Sequence, residues 1–482
     1  MPSSDRAWWQ RALLYQVYVR SFADSDGDGV GDLRGIVGRL DYLQWLGVDA
    51  LWLSPITVSP DNDWGYDVAD YTDVQLVFGG LQAFDELLAE ADARAIRIII
   101  DLVPNHTSDQ HPWFRESATS RDSPRRDWYV WRDPRPDGSP PNNWRSSFGG
   151  PAWTLDPATE QMYQHSFLPE QPDLNWWNDD VRDAMDDVMR FWLDRGVSGF
   201  RLDVAHAVVK DRELRDLPPD AETIVVVDLD ETFRVQRRWR KLADAYDHAP
   251  ILLGETWVMD LATLAGFYGS GEDQLHLAFN FPFTLAPLEA EALRGVVERT
   301  QELLPERASP AWTLSNHDIV RFPTRMCDGD EQKARAALTA LLSLRGTPVL
   351  YYGDELGMPQ AKVPPERARD IAGRDGARTP LRWNGGWSDP WLPLETEVAS
   401  VAAQRDDPRS FLNFCRELIA RRHTNPDLLN GRYESIPSPA GVWVFRRGER
   451  TAVALNLTGE PARLDLDGPR ELGAWEGVVL DV

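Results

Sequence analysis

Three short apolar runs in this chain each end in an acid. Gly199-Phe200-Arg201-Leu202-Asp203 closes on a carboxylate two residues after an arginine. In an extended segment, positions two apart share a face. Arg201 and Asp203 therefore point one way and Leu202 the other, into packing. A guanidinium beside a carboxylate favours the ionised form. Such a carboxylate at the mouth of a cavity serves as a nucleophile or stabilises a cationic intermediate, although the pair taken alone reads equally as a plain ion pair at a strand end. Ile251-Leu252-Leu253-Gly254-Glu255 ends in a glutamate, and the run from Ala311 ends in His317-Asp318. Three carboxylates at strand ends are what splitting a glycosidic bond requires.

The elements that must hold them alternate. Strands are expected at 13–19, 49–54, 96–103, 196–204, 251–255, 276–281, 311–318 and 347–353, from short apolar runs bounded by turn residues. Helical periods are expected at 33–46, 81–95, 181–195, 232–246, 288–304, 332–344 and 410–422. Eight strands interleaved with helical periods predict an α/β fold, the (β/α)8 TIM barrel, whose chemistry sits at the C-terminal ends of the strands. The pattern collapses over 107–172, rich in Pro, Asp, Arg, Ser and Trp, which predicts a small functional domain inserted after the third strand. The barrel then occupies 1–106 and 173–423. Over 424–482 the period becomes alternating, with strands expected at 441–447, 451–457 and 462–466 in an antiparallel β domain.

Asp101-Leu102-Val103-Pro104-Asn105-His106, Gly199 to Asp203, Gly254-Glu255 and Asn316-His317-Asp318 resemble, in that order, the four motif regions of the α-amylase superfamily (glycoside hydrolase family 13). Gly65-Tyr66-Asp67 and Gln171-Pro172-Asp173-Leu174-Asn175 match two more. The resemblance runs from about Leu14 to about Arg422 and is greatest to the bacterial α-glucosidase and oligo-1,6-glucosidase branch. It implies a retaining exo-acting α-glucosidase that releases glucose from the non-reducing end of short α-glucosides through a covalent β-glucosyl-Asp intermediate. Asp203 is the implied nucleophile, Glu255 the acid/base and Asp318 the third catalytic carboxylate. Tyr66, Asp67, His106, Arg201 and His317 are implied to hold the sugar, with Phe148 and Phe167 as aromatic wall. The two reacting carboxyls are expected about 5–5.5 Å apart, with Glu255 raised by burial and Asp203 kept ionised by Arg201. Val204 goes with α-1,6 tolerance in relatives, but the next residues, Ala205-His206, depart from the branch, so linkage stays open. A glucosyltransferase or sugar isomerase of the trehalose or isomaltulose synthase type uses the same intermediate. A non-catalytic transporter subunit is disfavoured by the three acids.

Asp24, Asp26, Asp28 and Asp32, with the Val30 carbonyl, space oxygens as a hard cation needs, although Gly35 stands where a calcium-loop glutamate would. The resemblance implies structural Ca2+ or Mg2+ here and no organic cofactor; an Asp/Gly turn without metal is the plainer alternative. At 42% hydrophobic residues and 21 tryptophans among 482 the chain is globular. Its net charge of −26 disfavours nucleic acid and anionic membranes as partners. The expected partners are small α-glucosides, on a monomer or homodimer. Cys327 and Cys415 have no metal-ligand spacing and are expected as free buried thiols. Residues 1–6 carry no apolar segment and no run is long enough to span a membrane, so a cytoplasmic protein is expected.

Overall fold

A computed structural model describes residues 7–221, 224–271, 273–466 and 468–482; the N-terminal hexapeptide lies outside them. Eight short strands form one parallel sheet: β1 (Leu14–Val17), β2 (Ala50–Leu53), β3 (Arg97–Leu102), β4 (Gly199–Leu202), β5 (Ile251–Gly254), β6 (Leu277–Ala278), β7 (Ala311–Thr313) and β8 (Thr347–Tyr351). The neighbour order is β6-β5-β4-β3-β2-β1-β8-β7. A parallel bridge from Phe279 to Ala311 joins the two ends, so the sheet closes into the expected barrel.

Alternation along each strand sorts the core into two layers. Leu14, Trp52, Ile99, Ile251, Leu253, Leu277, Phe279 and Val349 fill the interior, with Trp9 beside them. Tyr15, Leu51, Ile98, Ile100, Phe200, Leu202, Leu252 and Leu350 pack outward with the surrounding helices. Arg201 pairs in register with Asp101 and with Leu253, which puts its side chain on the interior face. Gly199 is required where β4 meets β5. Its φ is +144°, and a Cβ there would lie 2.3 Å from the Ile251 carbonyl oxygen.

Local signals start the helices. Asn178 caps Asp179–Asp194 by accepting from the Asp180 N–H. Asp228 caps Leu229–Ala243, which carries acids in its first turn and Arg240 and Lys241 in its last, as the helix dipole favours. The helix expected over 33–46 is two helices, Leu33–Val37 and Leu40–Leu46, because the chain turns at Gly38-Arg39 while the apolar period continues.

The insertion leaves the barrel after β3. Trp131–Arg132, Gln161–Gln164 and Trp153–Asp156 make a three-stranded antiparallel sheet. Bridges His106–Asp173 and Tyr129–Leu174 bring its two ends together. The segment after β4 is not a bare loop: Leu217 and Val225 pack on Trp144, Trp153 and Met162 of the insertion. At the C-terminus, Tyr433–Ile436, Val442–Arg447, Thr451–Asn456 and Gly477–Asp481 form a four-stranded antiparallel sheet. The strand expected near 462–466 is not in it. Ala462–Asp465 pairs with Pro469–Leu472 in a separate ribbon, since alternation fixes which way side chains face and not which strand is the partner. Cys327 and Cys415 are free and buried.

Candidate active site

The site is built around Arg201, which is fully buried at the end of β4. Its Nη1 donates to Asp101 Oδ1 at 2.9 Å and to Asp203 Oδ1 at 2.6 Å. Its Nη2 lies 2.9 Å from Glu255 Oε2. One guanidinium thus gathers the acids at the ends of β3, β4 and β5. Trp52 Nε1 and Tyr66 OH both donate to Asp101 Oδ2, at 3.1 and 3.2 Å. Glu255 Oε2 also accepts from the Val204 N–H at 2.9 Å.

The expectation that Arg201 keeps Asp203 ionised needs correction. Burial pushes the Asp203 carboxyl well above its ordinary range, and Glu255 and Asp101 add to that push against Arg201. A single positive charge divided among three carboxyls cannot hold all three as anions. Asp203 therefore takes up a proton more readily than its pairing with Arg201 alone would allow. Asp101 is likewise raised, to about 6, chiefly by burial.

A second chain of contacts crosses the barrel mouth to Asp318. Gln16 Nε2 lies 2.8 Å from His317 Nδ1 and donates to it, which leaves the ring proton on Nε2. That nitrogen faces Tyr66 OH at 2.5 Å and Asp318 Oδ2 at 3.1 Å. The Tyr66 and His317 rings lie parallel, 5.3 Å apart. Burial pushes the His317 imidazole well below its usual pKa, so it is neutral. Arg374 Nη1 and Arg378 Nη2 each reach Asp318 Oδ1 at 3.1 Å. Burial opposes ionisation of Asp318, but His317, Arg374 and Arg378 outweigh it and hold the carboxyl well below the usual range.

Asp67 is not in this cluster. It is fully buried, and its carboxylate accepts from Ser59 Oγ and from the Asn62 and Asp63 N–H groups, closing the loop that presents Tyr66. Burial raises it to about 6. Asp63, four residues earlier, takes the place at the mouth: its Oδ1 lies 2.5 Å from Arg374 Nη2 and its Oδ2 accepts from Gln171 Nε2 at 3.1 Å. His106 is buried, with Nδ1 3.0 Å from Asn105 Nδ2 and Nε2 3.1 Å from the Tyr66 carbonyl oxygen. Burial lowers it to about 4, so it is a neutral ring. Phe167 lies 5.1 Å from the His106 ring and 6.2 Å from Phe148, and Arg374 sits over Phe148 at 5.6 Å.

Asp63, Arg374 and Arg378 escaped the sequence reading. They lie in loops without period or motif. The only available signal was acid and base types flanking recognised strand ends.

In the first loop, Asp24, Asp26 and Asp28 can bring one carboxylate oxygen each within 4.8 Å of one another. That all-oxygen set fits a hard cation. The Asp32 carboxylate accepts from Ser25 N, Ser25 Oγ and Gly35 N and caps the helix Leu33–Val37. Val30, in the same loop, donates its N–H to Asp28 Oδ1.

Residues 16–431 match the model of the α-amylase catalytic domain. The chain belongs to the α-amylase family. A probable α-glucosidase of Rhizobium meliloti (strain 1021) is 42% identical over 510 residues, spanning 96% of this chain and 91% of its own. The oligo-1,6-glucosidase of Heyndrickxia coagulans is 36% identical over 520 residues, spanning 95% and 93%. The crystal structure of the α-glucosyl transfer enzyme XgtA superposes with a TM-score of 0.92 at 39% identity, covering 98% of this chain and 99% of that one. In this α-amylase family member the motif residues quoted from the sequence stand at the ends of β3, β4, β5 and β7, around one mouth.

Proposed function

We propose that this α-amylase family enzyme is a retaining, exo-acting α-glucosidase that releases glucose from short α-glucosides. The observation that carries it is the shared Arg201, which places Asp203 and Glu255 together in a buried, charge-frustrated pair. Asp203 forms a bond to the anomeric carbon as the bond from that carbon to the leaving oxygen breaks, and Glu255 gives its proton to that oxygen. Water then attacks the glucosyl-enzyme, its proton returns to Glu255, and the Asp203–carbon bond breaks to give α-glucose. Asp318, His317, Tyr66 and His106 hold the sugar hydroxyls, with Phe148 and Phe167 as the wall. Asp67 acts through Tyr66. The Asp63–Arg374 pair ties the loops after β2 and β8 beside Asp318 and closes the pocket behind one terminal glucose.

Incubation with maltose, isomaltose, sucrose, trehalose and starch, followed by proton NMR from the first minute, tests this. Early α-glucose from the short substrates and little from starch is the expected result; early β-glucose from sucrose, whose only glucose is the transferred one, would refute retention. The ratio of maltose to isomaltose turnover reads the effect of Val204. Glucosyl transfer is the second reading, favoured by the likeness to XgtA; a new disaccharide without free glucose would establish transfer or isomerisation instead.

The proposal includes a structural cation, Ca2+ or Mg2+, on Asp24, Asp26 and Asp28, with the Val30 carbonyl and Asp32 completing the set. The convergent carboxylates support it. Added Ca2+ should raise the melting temperature and a chelator reverse it, with kcat unchanged. No helix of the described residues is long and apolar enough to cross a membrane. A cytoplasmic location and a monomer or homodimer complete the reading, tested by fractionation and by light scattering.

A further inference from the structure

Glu255 is gripped twice by the turn that follows β4. The Val204 N–H donates to its side chain at Oε2. Val204 does so from a left-handed backbone, φ +49°, an unfavourable conformation for a β-branched residue that persists only where its surroundings impose it. Two residues later, His206 reaches the main chain that leaves the acid. Its Nδ1 lies 3.3 Å from the Glu255 carbonyl oxygen and 3.4 Å from the Trp257 nitrogen. A protonated Nδ1 donates to that carbonyl, and a bare one accepts from the Trp257 N–H, so either tautomer ties the ring to the segment. Next to it, Ala205 is fixed from behind, its carbonyl accepting from the buried Gln236 at 2.8 Å.

The segment that His206 holds is the leaving-group side of the site. An acid that protonates the leaving oxygen has the departing group on its outer side. There the chain continues into Trp257, which is 44% exposed and lies 4.4 Å from the Phe281 ring. An indole open to solvent beside the acid offers an apolar face to the departing or accepting sugar.

The geometry points to His206 as a positioning residue for the general-acid segment: by holding the backbone from Glu255 to Trp257, it sets where the acid proton and the aromatic face meet the leaving group. This rests on the glycosidase reading and adds to it the residue that governs the poor leaving groups of natural disaccharides.

The test compares two substrates that differ in their need for the acid. Maltose has a sugar alkoxide to protonate. α-Glucosyl fluoride has a stable leaving anion and needs little proton donation. His206→Ala and His206→Gln should lower kcat/KM on maltose at least about tenfold, within the roughly 10²–10⁴-fold that a well-placed acid supplies. On α-glucosyl fluoride the loss should stay within about threefold. His206→Asn, whose amide stands where Nδ1 stood, should restore maltose turnover. Equal losses on both substrates in Ala and Gln variants, or no loss on either, would overturn the assignment. A wild-type enzyme that turns over neither substrate would instead refute the glycosidase reading itself.

Discussion

One guanidinium facing three carboxyls leaves two negative charges to be managed inside a barrel. Burial and the neighbouring carboxyls push Asp203 well above the ordinary carboxylate range, so the cluster takes up a proton more readily than isolated acids do. Activity should therefore fall as pH rises and the cluster loses that proton. Glu255→Gln should lower kcat/KM on maltose by roughly 10²–10⁴-fold. With Glu255→Ala, azide should restore turnover of an activated glucoside and yield α-glucosyl azide, since azide would attack a β-linked intermediate; NMR of the product checks the anomer. Asp203→Asn should leave no turnover on either substrate, measured over days. Hydrogen bonds join His317 to Tyr66 and Tyr66 to Asp101, so substitutions of the three should combine less than additively in kcat/KM.

Lys210, one of only four lysines in the chain, acts between elements. Its buried ammonium lies 2.9 Å from Asp173 and also donates to Asn105 Oδ1. It thereby ties the turn after β4 to the end of β3 and to the returning end of the insertion. Asp173 accepts from Ser166, Gln164 and Asn105 as well, and is fully buried. Lys210→Met would strand that carboxylate, and denaturant unfolding should show a loss of about 3–5 kcal/mol. Strands and their terminal acids were legible because each signal is local: apolar run, stop, carboxylate. The pair Asp63–Arg374 was not, because its members are brought together only by closure of the barrel across most of the chain. Asp67 was misplaced for the opposite reason. It is adjacent to Tyr66 in sequence, and the loop's own hydrogen bonds turn it inward. The helix break at Gly38-Arg39 was hidden by a continuous apolar period, and the partner of Ala462–Asp465 by an alternation that any strand would show.

The molecule as a whole carries a net charge of −26 and holds several buried acids whose ionisation burial opposes. Asp354 is raised to about 7, chiefly by burial, with Arg321 no nearer than 4.0 Å; Asp67 and Asp101 are raised to about 6. The sign follows from linkage. Between pH ~4, where an unfolded chain releases these protons, and about 7, where the folded one does, the folded state binds more of them and loses stability as pH rises. Asp318 and Asp173 are depressed and act oppositely, losing their stabilisation as pH falls below about 4. Urea midpoints should therefore decline from pH 5 to pH 8, and Asp354→Asn should flatten the decline. Added salt should raise the midpoint at pH 8 by screening the surface charge. The bridge from Asp63 to Arg374 has a consequence for supply. A pocket sealed behind a single terminal residue counts molecules, not mass. A glucan chain of any length offers it one end, so at fixed weight of carbohydrate the rate should fall in inverse proportion to chain length. Each cleavage must also let both products go before the next begins.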